Sequence, residues 1–214
     1  MLGVGASLAL IGASALELPF EMTTLEAIAV VTCGWSVWLL ACNQALGWWI
    51  GLIGIVAYGF LFYRVQLYAE VGIQVFYFAS SIQGIYVWLR GGRDGQQRPV
   101  STVPRSVVMA TAVAVPIAVL VLQAVLIRMR GAAPFWDALT TVLSLAAQLY
   151  LIGRYTQSWY LWITVDLIYV PLYASRGLYL TALLYAVFLL MSVHGLLTFR
   201  KLYGEQLELA EAVP

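Results

Sequence analysis

The sequence predicts an all-α integral membrane protein with seven transmembrane helices in a 3+1+3 parallel-repeat arrangement. Three observations carry that prediction. Hydrophobic residues make up 63% of the 214-residue chain and charged residues only 10%, whereas a soluble domain carries about 25% charged residues. Seven apolar segments are long enough to cross a bilayer. The chain also resembles itself at an offset of 111 residues. Disorder is excluded by the same composition. A net charge of +1 gives no basic surplus for a nucleic-acid backbone, so no nucleic-acid partner is expected.

A spanning helix needs about 20 mostly apolar residues, with about 17 near the lower limit. The segments that qualify are 24–41, 47–63, 68–89, 106–127, 136–152, 159–174 and 178–199. The second, fifth and sixth are short, and their Trp and Tyr ends suit the interface. Arg64, Arg154 and Arg176 each mark a turn. The one long connector, RGGRDGQQRPVSTVPR at 90–105, is polar and rich in Gly and Pro, and is placed outside the bilayer. Residues 2–16 are apolar but lack a basic leader, which makes a poor signal peptide. They form either an eighth, marginal helix or an interfacial one. The expected organisation is an N-terminal apolar segment (1–23), a three-helix repeat (24–90), a basic loop and connector helix (91–127), a second three-helix repeat (128–201) and a cytoplasmic tail (202–214).

Orientation follows from the basic residues. With seven spans, one side takes seven of them (Arg90, Arg93, Arg98, Arg105, Arg154, Arg200, Lys201) and the other takes four (Arg64, Arg128, Arg130, Arg176). The positive-inside rule puts the first side, and the C-terminus, in the cytoplasm. A bacterial inner membrane fits so compact a chain.

The repeat needs no gap. At the 111-residue offset Trp48 meets Trp159, Tyr58 meets Tyr169, Leu67-Tyr68 meets Leu178-Tyr179 and Gly84 meets Gly195, while Glu26 meets Asp137 and Arg90 meets Lys201. Moving from a point to its partner crosses four spans, an even number, so the two halves point the same way. Transporters with parallel repeats bind substrate between such halves.

Polar side chains in lipid face protein or water. At helical spacing, Asp137, Thr141, Ser144 and Gln148 form one face, as do Glu70, Gln74, Tyr77 and Ser81. Thr181, Tyr185, Phe188 and Ser192 repeat the second set, and Trp162, Asp166, Tyr169 and Tyr173 share a face of the sixth span. Such a lining suits a small, flat, polar ligand, cationic if Asp166 is to be balanced. Bland roles compete with this reading. Membrane serines and threonines often bond only backbone. Glu26 and Asp137 sit where they cap helix dipoles. Trp48 and Trp159 serve equally well as interface anchors, and His194 as a helix-packing or interfacial residue.

Several chemistries are excluded. The only lysine, Lys201, lies beyond the last span, so no buried Schiff base can form. One histidine cannot build a multi-His metal or bis-His haem site. Cys33 and Cys42 are nine residues apart, about 13 Å of helical rise, too far for a disulfide. Ser192 and His194 point to different helix faces. No catalytic residues, metal or cofactor are assigned, and an enzyme is not expected.

The run WWIGLIGIVAYGFLFYRVQLYAEVGIQVFYFASSIQGIYVW (48–88), the FWDALTT start of the fifth span and the WxxWxxxD and GLYLTALLY stretches of the second repeat resemble the PnuC-type vitamin transporters, over about residues 24–201. The resemblance implies a SWEET-like fold, a homotrimer, and facilitated diffusion of an unphosphorylated vitamin trapped by a cytosolic kinase. Nicotinamide riboside is the leading substrate and thiamine the alternative. An intramembrane enzyme or a sensor ranks lower. The lining assigned to the vitamin is Gln74, Tyr77, Ser81, Gln148, Trp162, Asp166, Tyr169 and Tyr185. Aromatics would stack on the ring, amides would bond polar substituents and Asp166 would neutralise charge.

Overall fold

The apolar runs form helices because in lipid each backbone N–H and C=O must be paired within its own segment. The computed structural model describes residues 24–64, 66, 68–130 and 133–211. The segment 2–16 lies outside them. Seven α-helices follow in order: α1 (Thr24–Ala41), α2 (Leu46–Arg64), α3 (Tyr68–Arg90), α4 (Arg105–Arg128), α5 (Pro134–Ile152), α6 (Gln157–Ser175) and α7 (Tyr179–Glu211). Their bounds follow the seven expected spans, with one difference. The last helix does not end at 199. It runs through 202–211, the stretch expected as a tail, because LYGEQLELAE contains no helix breaker beyond Gly204 and Lys201 pairs with Glu205 one turn on.

Start signals are local. Pro134 opens α5, where a missing N–H costs nothing. Glu26, Glu70 and Asp137 place negative charge in first turns. Five of the helices are long and apolar enough to cross a membrane, namely α1, α2, α4, α5 and α7 from Thr181. The other two, α3 and α6, carry Glu70, Gln74 and Ser81, and Trp162, Asp166 and Tyr169, respectively.

The described residues divide into two compact units, one within 24–40 and 44–86, the other within 41–43 and 87–211. In the first unit α2 lies against α1 through small residues. A methyl added at Gly47, Gly51 or Gly54 would meet Leu40, Ser36 or Thr32 at 2.6 to 2.8 Å. This is how membrane helices gain dispersion contact without a hydrophobic drive. Trp48 lies over Gly84 of α3, whose added methyl would reach the indole at 2.7 Å.

The second unit repeats that device. Trp159 of α6 lies over Gly195 of α7, with a corresponding approach of 2.6 Å. Trp48 and Trp159 are 2% and 1% exposed. They are core residues, so the interface-anchor reading fails for both. Each glycine leaves the space that its indole fills. Phe199 stands between Trp159 and Trp88, with ring centroids 5.5 and 6.1 Å away. On the other side, α4 packs on α5 through Val119, Ala138 and Val142, and Tyr150 donates a hydrogen bond to Thr111 at 2.8 Å.

The connector 91–104 is ordered against this unit. Ser101 and Tyr155 form a parallel bridge, and Val100 and Val103 are buried. Arg154, expected only to mark a turn, is 7% exposed and organises the region. Its Nε donates to Asn43 Oδ1 at 2.9 Å, its Nη1 donates to the Arg98 carbonyl, and its guanidinium lies 4.9 Å over the Trp88 ring. Trp88 in turn donates to the Leu151 carbonyl at 2.8 Å. Burial pulls the Arg154 pKa below its usual value. His194 is exposed, with Nε2 3.8 Å from the Cys42 sulfur.

Two consequences are measurable. Arg154→Lys keeps the charge but loses the planar fork. It should lower the stability of the detergent-purified protein by about 2–4 kcal/mol, the range for a disrupted buried charged network. Gly195→Ala should cost about 1–3 kcal/mol through overpacking against Trp159. A thermal midpoint unchanged from the parent in either variant refutes the role given to that residue.

Candidate functional site

On α6, Trp162, Asp166, Tyr169 and Tyr173 recur at steps of four, three and four residues and so share a face. On α7, Tyr185, Phe188 and Ser192 do the same. Packing of these two helices brings the faces together. Asp166 is 3% exposed and Ser192 2%. The Ser192 hydroxyl donates to Asp166 Oδ2 at 3.0 Å. Among the described residues no cationic side chain lies within bonding distance of Asp166.

The tyrosines form a cluster one to two turns along. Tyr185 lies 4.5 Å from Tyr169 and 5.3 Å from Tyr173, stacked on the latter at 12°. Tyr169 and Tyr173 are 5.3 Å apart, and Phe188 meets Tyr185 edge-on at 5.9 Å. Pro171, between the two α6 tyrosines, withdraws one backbone N–H from the helix ladder. Gln148 and Ser144 are buried on α5, as the polar face predicts, while Asp137, Thr141 and Trp162 are half-buried. A carboxylate beside flat, electron-rich faces can hold an organic cation and orient a planar ring.

The first unit has its own polar face. Gln74 of α3 lies against α2, its Cβ 3.7 Å from where a Gly59 methyl would sit. Tyr58 and Phe62 of α2 stack at 5.7 Å and 16°. Ser81 is 2% exposed, and Tyr77, half-buried, accepts a hydrogen bond at its carbonyl from Ser80 at 3.0 Å. Glu70, from the same stripe, is exposed.

Thus Asp166, Tyr169 and Tyr185, named from sequence, lie on the packed faces of α6 and α7. Gln74, Tyr77 and Ser81 belong to the first unit. Ser192 and Tyr173 were on the polar stripes but not among the assigned lining. The signal for both was their register, Ser192 at seven residues past Tyr185 and Tyr173 at four past Tyr169.

Comparison with known proteins agrees with this architecture. The family model described as nicotinamide mononucleotide transporter matches residues 23–201. The chain is 25% identical to the nicotinamide riboside transporter PnuC of Escherichia coli K12, covering 82% of this chain and 84% of that protein. It is 27% identical to the protein of that name from Neisseria mucosa, covering 83% and 72% of the two chains. The crystal structure of the vitamin B3 transporter PnuC superposes with a TM-score of 0.69 at 23% identity, over 95% of this chain and 92% of that one. That likeness gives the same fold. Matched over most of its length, the chain is a multi-pass membrane protein and belongs to the nicotinamide mononucleotide transporter family.

Proposed function

We propose that this protein carries an unphosphorylated B-type vitamin, nicotinamide riboside, across the inner membrane by facilitated diffusion. The family match over residues 23–201 carries the reading, and the curated relatives bear the riboside name. The family's own description names the mononucleotide, which differs by a phosphate. The charge distribution favours the riboside. All eleven Arg and Lys residues lie at helix ends, in connections or in the far part of α7. A phosphate dianion would enter a lining with a buried carboxylate and no cation to meet it.

The nicotinamide ring is flat and positively charged, matching Tyr169, Tyr173, Tyr185 and Asp166. Gln74, Tyr77, Ser81, Gln148 and Trp162 complete the proposed lining, the amides bonding carboxamide and ribose. Thiamine is also a flat cation and fits the same chemistry, so it stands as the second substrate.

Several regularities support a 3+1+3 plan with α1–α3 and α5–α7 as parallel repeats. Shifting α2 by 111 residues reproduces the bounds of α6. The left-handed residues Asn43 (φ 59°) and Gln66 (φ 61°) meet left-handed Arg154 (φ 55°) and Gly177 (φ 75°) at the same shift. Transport would proceed by rocking the two repeats, with the C-terminus in the cytoplasm and a homotrimeric assembly, as the resemblance implies. A cytosolic kinase would make uptake one-way, because a phosphorylated product meets no cation on the return path.

Calorimetric titration of the detergent-purified protein tests the reading. Nicotinamide riboside should bind saturably and the mononucleotide should not. Tight thiamine binding alone would transfer the protein to thiamine uptake, and tight mononucleotide binding would overturn the choice made on charge. Tyr185→Leu should weaken riboside binding about tenfold or more, since it removes one face of the aromatic cluster. Gln74→Leu should reduce uptake into proteoliposomes with little stability loss, as a membrane hydrogen bond is worth about 0.6 kcal/mol on average. Uptake equal to the parent would remove Gln74 from the path.

A further inference from the structure

We propose that Ser192 is a positioning residue for Asp166, and that the pair makes the protein select the oxidised, positively charged nicotinamide ring over its neutral dihydro form. This rests on the reading of the chain as a nicotinamide riboside carrier.

Asp166 and Ser192 are both nearly inaccessible, and no cationic side chain among the described residues reaches the carboxylate. A carboxylate kept in a membrane span without a counter-ion is costly and marks a substrate path. Ser192 occupies Oδ2 at 3.0 Å. One oxygen is therefore held from α7, and Oδ1 is left for another partner. The neighbouring tyrosine faces attract positive charge as well.

The charge is also one-sided. At the 111-residue offset Ser192 meets Ser81, and both serines are 2% exposed. Asp166 meets Ile55. The serine position is thus common to both halves, while the acid is present only on α6. A ligand held here must present its positive part to α6 and α7.

Oxidised and reduced nicotinamide nucleosides are nearly the same size and carry the same carboxamide and ribose. Adding hydride to the ring removes its positive charge. Shape and hydrogen bonding scarcely separate the two forms, so a lining of amides and hydroxyls alone would accept both. Asp166, held by Ser192, supplies the only full charge among these groups that responds to that difference, and the tyrosine faces add to it.

The test is calorimetric titration of the full-length, detergent-purified protein with nicotinamide riboside and with its 1,4-dihydro form, on the parent, Asp166→Asn, Ser192→Ala and Ser192→Thr. The parent should bind the cation about tenfold or more tightly than the neutral form. Asp166→Asn should bring the ratio close to one by weakening the cation alone. Ser192→Ala should lower the ratio about threefold, and Ser192→Thr, which keeps the hydroxyl, should retain it. Thermal midpoints identify any variant that fails to fold, and the Ser192 pair then carries the test without Asp166→Asn. Equal binding of both forms by the parent overturns the selection while leaving the carrier reading intact. Binding of neither overturns both. A ratio unmoved by Ser192→Ala removes the positioning role.

Discussion

Burying a guanidinium costs several kcal/mol unless it is engaged by partners, and at Arg154 two hydrogen bonds and a ring contact come from separate stretches of the chain. Asn43 comes from the connection after α1, the Arg98 carbonyl from the long connector and the Trp88 ring from the end of α3. The guanidinium supplies a fixed fork that each can bond. The parallel bridge from Ser101 to Tyr155 and the bond from Val103 N–H to Gln157 then continue along the same edge. The start of α6 is thereby set, and with it the register that puts Asp166 opposite Ser192.

The second organising device is the indole over the glycine. Trp48 and Gly84 in one unit, Trp159 and Gly195 in the other, solve the same packing problem at the same spacing. Lipid gives helices no hydrophobic reason to associate. Close approach at glycine, with a large flat side chain filling the space, supplies dispersion contact instead. It also fixes helix rotation, because an indole fits only one groove. Helix rotation decides which residues face lipid, so each tryptophan bears on which side chains within its own unit are sheltered.

The helices were legible in the sequence because each is an apolar run bounded by arginines, prolines or glycines. The burial of Asp166 was legible as well, since an acid within an apolar span must be sheltered from lipid. Three features were not. The role of Trp48 and Trp159 stayed open between interface anchor and interior residue, because a tryptophan near a span end does not reveal the glycine facing it from a distant helix. Arg154 read as a turn marker because its partners lie 56, 66 and 111 residues away in sequence. Ser192 was visible on a stripe, but its significance depends on which residue of α6 it meets. Periodicity gives faces; it does not pair them.

The length of α7 has a mechanical consequence. Its 33 residues form a rod about 50 Å long, well beyond a hydrocarbon core of about 30 Å. Ser192, bonded to Asp166, lies near its middle, and the helix then continues for about 28 Å to Glu211. A rigid rod converts rotation into displacement in proportion to its length. A tilt of about 10° at Ser192 would sweep the far end through about 5 Å over that length. The terminal turns therefore act as a pointer, magnifying small rearrangements beside the carboxylate into distances that spectroscopic probes resolve.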